Sequence, residues 1–122
     1  MMHRIATLAV RRAALALGLA LAIPAHAGTL ACFGSLSQVQ TATSGELRVL
    51  PAWRGDWITL CSVTTVWKGV PIEVCKRWHA HVLTAQIAQT SSRIYYANTA
   101  AATCGAMGNY ANADAPEHVG NN

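Results

Sequence analysis

From residue 37 to residue 66 the chain alternates and breaks as strands do. Ser37 to Thr43 places Val39 among polar residues, and Ser44-Gly45 follows as a turn. Glu46-Leu47-Arg48-Val49-Leu50 alternates charged and apolar residues over part of its length, as a half-buried strand does. Pro51 ends that strand or confines it to an edge, because proline lacks the N–H a central strand needs. Trp53-Arg54-Gly55-Asp56-Trp57 reads as a hairpin turn in which Gly55 is free to take a positive φ. Trp57 to Val66, rich in Thr, Val, Ile and Trp, is the strongest strand signal in the chain.

The period changes after Lys68-Gly69. Pro71 suits the first residue of a helix, where its missing N–H is not needed, which leaves Val70, a poor capping residue, at the N-cap. Glu73 falls in the first turn, where the helix dipole favours negative charge. No glycine or further proline interrupts the run from Pro71 to Gln89. Cys75, Trp78, Val82 and Ala85 share one stripe at helical spacing, and Ile72, His79, Leu83 and Ile87 form the adjacent one, together a broad apolar face. Such a helix is about 28 Å long at about 1.5 Å per residue. Thr90-Ser91-Ser92 ends it. Arg93 to Ala97 reads as a strand with Tyr95 and Tyr96 on opposite faces. Asn98 to Gly105 is a small-residue loop carrying Cys104, and a short last strand is expected near Glu117-His118-Val119.

The N-terminus has the three parts of an export signal. Arg4, Arg11 and Arg12 precede an apolar run from Ala13 to Ile23, Pro24 breaks it, and Ala25-His26-Ala27 supplies small residues before a cut. The run is too short to span about 30 Å of hydrocarbon comfortably. Residues 1–27 are therefore expected to be a cleaved signal peptide, and residues 28–122 a single secreted or periplasmic domain with no transmembrane segment. Three of the nine Lys and Arg lie in the signal and none of the five acids do, so the mature chain carries six bases against five acids. That near-neutral balance argues against nucleic acid as a partner, since phosphate contacts need clustered Lys and Arg.

All four cysteines, Cys32, Cys61, Cys75 and Cys104, fall in the mature part. An even count in a small exported chain predicts two disulfides, each worth about 2–4 kcal/mol. Cys61–Cys75 with Cys32–Cys104 ties the strongest strand to the first helical turn; Cys61–Cys104 with Cys32–Cys75 is the competing arrangement. The element order predicts a mainly β fold with one long helix. An OB-like five-stranded barrel places its helix between the third and fourth strands in this way, and an α+β sheet with one covering helix fits the same order.

Trp57-Ile58-Thr59-Leu60-Cys61, Trp67 through Cys75, Leu83-Thr84-Ala85-Gln86 and Arg93-Ile94-Tyr95-Tyr96 resemble small exported proteins of Gram-negative bacteria. Their layout is similar to the B subunits of AB5 toxins of the pertussis and subtilase-cytotoxin kind. The resemblance spans about residues 46 to 105. It implies an OB fold, a homopentameric ring, an A-subunit partner and cell-surface glycan as ligand. It matches no glycan-contact motif residue by residue, so it assigns no binding residue.

The residues themselves offer candidates. Arg54 and Asp56, flanked by Trp53 and Trp57, read either as a solvated turn on packed tryptophans or as a sugar platform, since aromatic faces stack on sugar CH surfaces. The outward member of Tyr95 and Tyr96 is a further candidate contact. His79 and His81 point about 200° apart on a helix and do not share a metal ion. No motif supplies a nucleophile or an acid/base pair among Glu46, Asp56, Glu73, Asp114 and Glu117. The expectation is a non-catalytic binding module without cofactor or metal, with glycan as its ligand. The competing expectation is an envelope interaction module, such as an inhibitor of another exported enzyme.

Overall fold

Alternation decides the middle of the chain. Between Glu46 and Pro51 every second residue is buried, and those between are half-buried. In a computed structural model, which describes residues 27–121, this stretch is β3 (Glu46–Pro51), preceded by β1 (Gly28–Gly34) and β2 (Leu36–Thr41) and followed by β4 (Ile58–Ser62). Then come α1 (Ile72–Ala88), β5 (Ser92–Thr99) and β6 (His118–Asn121). The predicted signal lies outside the described residues, apart from Ala27. Among the described residues no helix is long and apolar enough to cross a membrane.

The strands form two antiparallel three-stranded sheets, ordered β1-β5-β6 and β2-β3-β4. The fold is thus mainly β with one long helix, but it corrects the five-strand expectation. Among the described residues there are six strands, and no pairing closes the two sheets into one barrel. The unforeseen strand is β1. It lacks β-branched residues apart from Thr29 and is bounded by glycines, so its own signal is poor. Its partner stabilises it: β1 pairs with β5 over most of its length, from Gly28 opposite Thr99 to Gly34 opposite Ser92.

Gly45 takes φ +90 in the β2–β3 turn, and a Cβ there would lie 2.1 Å from Thr64 Oγ1. Glycine is required on both counts. All five residues of β4 are buried. Helix α1 packs against β4, and the segment around Tyr110 adds to its edge: Thr59 N–H donates to the Tyr110 carbonyl and Tyr110 N–H to that of Trp57.

The helix begins one residue later than expected, with Pro71 in extended conformation at the N-cap. It ends at Gln89, whose φ of 55 places a left-handed residue where glycine is usual. Only one apolar stripe is fully used. Cys75, Trp78, Val82 and Ala85 are buried, whereas Ile72, His79 and Leu83 are half-buried and Ile87 is 81% exposed. Cys75, Trp78 and Val82 of the buried stripe meet Leu47, Val49, Ile58 and Leu60 of the β2-β3-β4 sheet and Ile94 and Tyr96 of β5 in one core cluster.

Both disulfides form, in the first of the two arrangements. Cys61–Cys75 ties β4 to the first turn of α1, and Cys32–Cys104 ties β1 to a single 3₁₀ turn at Cys104–Ala106. The sequence separations are 72 for Cys32–Cys104 and 14 for Cys61–Cys75. Loop entropy alone assigns about 4 kcal/mol to the longer closure and about 3 kcal/mol to the shorter. Replacing each pair by alanines should therefore cost more at Cys32–Cys104, read by urea denaturation. The reverse order would show that packing of the fully buried Cys61 and Cys75 outweighs chain entropy.

Candidate functional site

The six aromatic and charged candidates separate into three places. The first is the β3–β4 turn. Pro51 carbonyl accepts from the N–H groups of Arg54 and Gly55, and Gly55 takes φ +69 as expected. Arg54 Nε donates to the Met107 carbonyl at 2.6 Å. Asp56 Oδ1 accepts from Trp57 N–H at 2.7 Å, and its Oδ2 accepts from Asn109 Nδ2 at 3.4 Å. Trp53 is half-buried against Gly34, where a Cβ would approach its Cδ1 to 3.1 Å. Trp57 is half-buried, with its carbonyl taken by Tyr110. The polar groups of this turn hold the 107–110 segment in place.

The second place is the core. Tyr96 has no exposed surface and its hydroxyl has no hydrogen-bond partner. Burial, and then the negative charge of Asp114, push its pKa well above the ordinary tyrosine value.

The third place is the outer face of the β1-β5-β6 sheet, where Tyr95 points. Opposed residues on neighbouring antiparallel strands share a face. Phe33 lies opposite Arg93, and Tyr95 lies between Ala31 on β1 and His118 on β6. The Tyr95 and His118 rings stack with centroids 4.6 Å apart and planes 19° from parallel. The Arg93 guanidinium lies 5.6 Å from the Tyr95 ring centre and 5.8 Å from that of Phe33, within cation–π range of both. No carboxylate pairs with Arg93 among the described residues. Ala31 and Gly120 flank the row with little side chain, and Phe33 is 47% exposed. Phe33 and His118 escape local sequence reading because only cross-strand register brings them to Tyr95, whereas Arg93 shares its face by strand alternation.

A polar cleft of about 350 Å³ adjoins this row, lined by Lys68, Ala97, Asn98, Asp114 and Glu117 among others. Ala97 lies two residues beyond Tyr95 on β5 and so on the same face. Glu117 N–H donates to the Tyr95 carbonyl at 2.7 Å. Asp114 Oδ2 accepts from the Thr99 hydroxyl at 2.6 Å. Lys68, at φ 45, donates through Nζ to the carbonyls of Ala111 and Ala113 at 2.8 and 2.6 Å. These bonds fix two of the lining groups before any ligand arrives.

Elsewhere, His79 Nε2 lies 3.4 Å from Thr41 Oγ1, and His81 is half-buried on another side of α1. Among the described residues no group of three or more His, Cys, Asp or Glu converges on a metal position. All four cysteines are in disulfides, so none is a thiolate nucleophile. No family model matches the chain, and neither a curated protein nor a solved structure shows significant similarity to it.

The buried Tyr96 makes stability depend on pH. Below the ordinary value of 10.0 the phenol is neutral in both folded and unfolded chains. Above it the unfolded chain releases the proton while the folded chain keeps it, so stability falls as pH rises toward the raised folded value. The contribution is about 1.4 kcal/mol per pH unit. Tyr96→Phe should flatten the decline in denaturation free energy between about pH 10 and about pH 11 by about 1 kcal/mol, because the unfolded phenol is only half ionised at the start of that window. Equal slopes in the two proteins would contradict the raised pKa.

Proposed function

We propose that the chain is a secreted or periplasmic, non-catalytic glycan-binding module, a B-like subunit of the AB5 toxin kind. The observation that carries this reading is the Tyr95–His118 stack on an open sheet face, with Arg93 and Phe33 beside it. Aromatic faces take up the CH surfaces of sugar rings, and a flanking guanidinium and imidazole supply donors to hydroxyls.

Strand order supports an OB-like classification. Only Ser35 separates β1 from β2, so the two count as one bent strand that joins both sheets. Counted this way the six strands give five strand units with the helix between the third and fourth, the OB order, on two sheets that do not close into a barrel. Two disulfides fit an oxidising compartment outside the cytoplasm.

A homopentameric ring is part of the proposal. Strand β2 is an edge of one sheet and β6 an edge of the other. Pairing β2 of one copy with β6 of the next is a head-to-tail contact, the kind that closes rings. The exposed Ile87 and half-buried Leu83 of α1 gain cover in such an assembly. A ring of this kind is the platform on which an A subunit would sit.

The test is a glycan array probed with oxidised protein starting at Gly28, alongside Tyr95→Ala. Specific binding is expected, with Tyr95→Ala weakening it on the order of tenfold, the scale for loss of a stacked aromatic worth about 1.5 kcal/mol. Absence of any glycan binding would overturn the reading, and a single stoichiometric protein captured from periplasm would then favour the envelope-inhibitor alternative.

A further inference from the structure

We infer that the cleft lined by Lys68, Asn98, Asp114 and Glu117 is a second sugar subsite, which takes a neutral, hydroxyl-rich ring of an oligosaccharide whose neighbouring unit lies on Tyr95 and His118. The inference rests on the glycan-binding reading of the sheet face and extends it to the size and charge of the ligand.

Continuity of the surface comes first. Arg93, Tyr95 and Ala97 share one side of β5, and Ala97 also lines the cleft. From Tyr95 to Asn98 the strand advances no more than about 10 Å at about 3.3 Å per residue, across the register shift opposite Gly28 and Leu30 that leaves both Ala97 and Asn98 outside the core. Two linked sugar rings cover such a span, and one ring does not. Glu117, which also lines the cleft, directly precedes His118 in the chain.

The lining then selects the chemistry. Asn98 both donates and accepts, and the two carboxylates accept. Lys68 is tethered by two carbonyls, which leaves one of its three N–H groups for a ligand. Asp114 has its Oδ2 on Thr99 and its Oδ1 uncommitted. Hydroxyl groups donate and accept at once and so serve both halves of this lining. An anion would face two carboxylates against one tethered ammonium. A divalent cation needs six or more oxygen ligands without a neighbouring ammonium, and here only two carboxylates face the space.

Asn98 and Glu117 are exposed, so their substitution leaves the core untouched. The experiment measures binding of the oxidised protein from Gly28 to an array of neutral and acidic mono-, di- and trisaccharides, with Asn98→Ala and Glu117→Gln alongside. The expected result is a neutral di- or trisaccharide bound on the order of tenfold more tightly than either component monosaccharide. Both variants should lose that advantage while monosaccharide binding stays unchanged. Glycan binding with the same oligosaccharide advantage in the variants overturns the subsite and leaves the glycan reading standing. Binding restricted to acidic glycans and indifferent to the variants does the same. No binding to any glycan overturns both.

Discussion

Strand β5 lies in the middle of its sheet, and its register with β1 and β6 decides which side chains face water. Ile94 and Tyr96 point into the core, while Arg93, Tyr95 and Ala97 point out. A slip of one residue would expose the first set and bury the second, including an unpaired guanidinium. The apolar cost of that exchange fixes the register. The disulfide from Cys32 adds to it, because Cys32 lies opposite Ile94 and anchors β1 to Cys104. The outward row of aromatic and cationic side chains is thus a consequence of how the inward row packs.

The rest of the molecule holds this sheet against the other. Helix α1 buries one stripe, Cys75, Trp78, Val82 and Ala85, between the sheets, and Cys61–Cys75 fastens its first turn to β4. Across the molecule, Arg54 and Asp56 bind the 107–109 backbone and side chains, and Tyr110 joins the β4 edge. The chain from Met107 to Glu117 is short of regular structure, yet it is fixed at several points. Lys68 holds the carbonyls of Ala111 and Ala113, and Thr99 holds Asp114. A cleft built from such a loop keeps its shape through these bonds and not through secondary structure.

Local physics made much of this readable from sequence. The helix followed from its period and from Pro71, the central strands from alternation and β-branched content, and the turn from Gly55. The pairing Cys61–Cys75 with Cys32–Cys104 stood among the arrangements foreseen. Strand β1 did not show, because Gly28 to Gly34 becomes a strand only through pairing with β5, about sixty to seventy residues away. The second helical stripe looked like core because spacing reports amphipathicity and not which neighbours arrive to cover it. The sheet face was half legible. Alternation put one of Tyr95 and Tyr96 outside, but Phe33 and His118 reach Tyr95 and Arg93 only by cross-strand register. The Trp53–Trp57 turn read as either a solvated turn on packed tryptophans or a sugar platform, and its charges bond the neighbouring loop.

The central claim is that the β1-β5-β6 face binds ligand as a ready-made surface. It is tested most directly by mapping amide chemical shifts of the oxidised, isotope-labelled protein while titrating in the tightest glycan from an array. The account predicts shifts confined to Ala31, Phe33, Arg93, Tyr95, Ala97 and His118, the adjoining cleft residues Lys68, Asn98, Asp114 and Glu117, and their immediate neighbours, with the core amides of β3 and β4 unmoved. Perturbation centred on Trp53 to Trp57, or on α1, would contradict it.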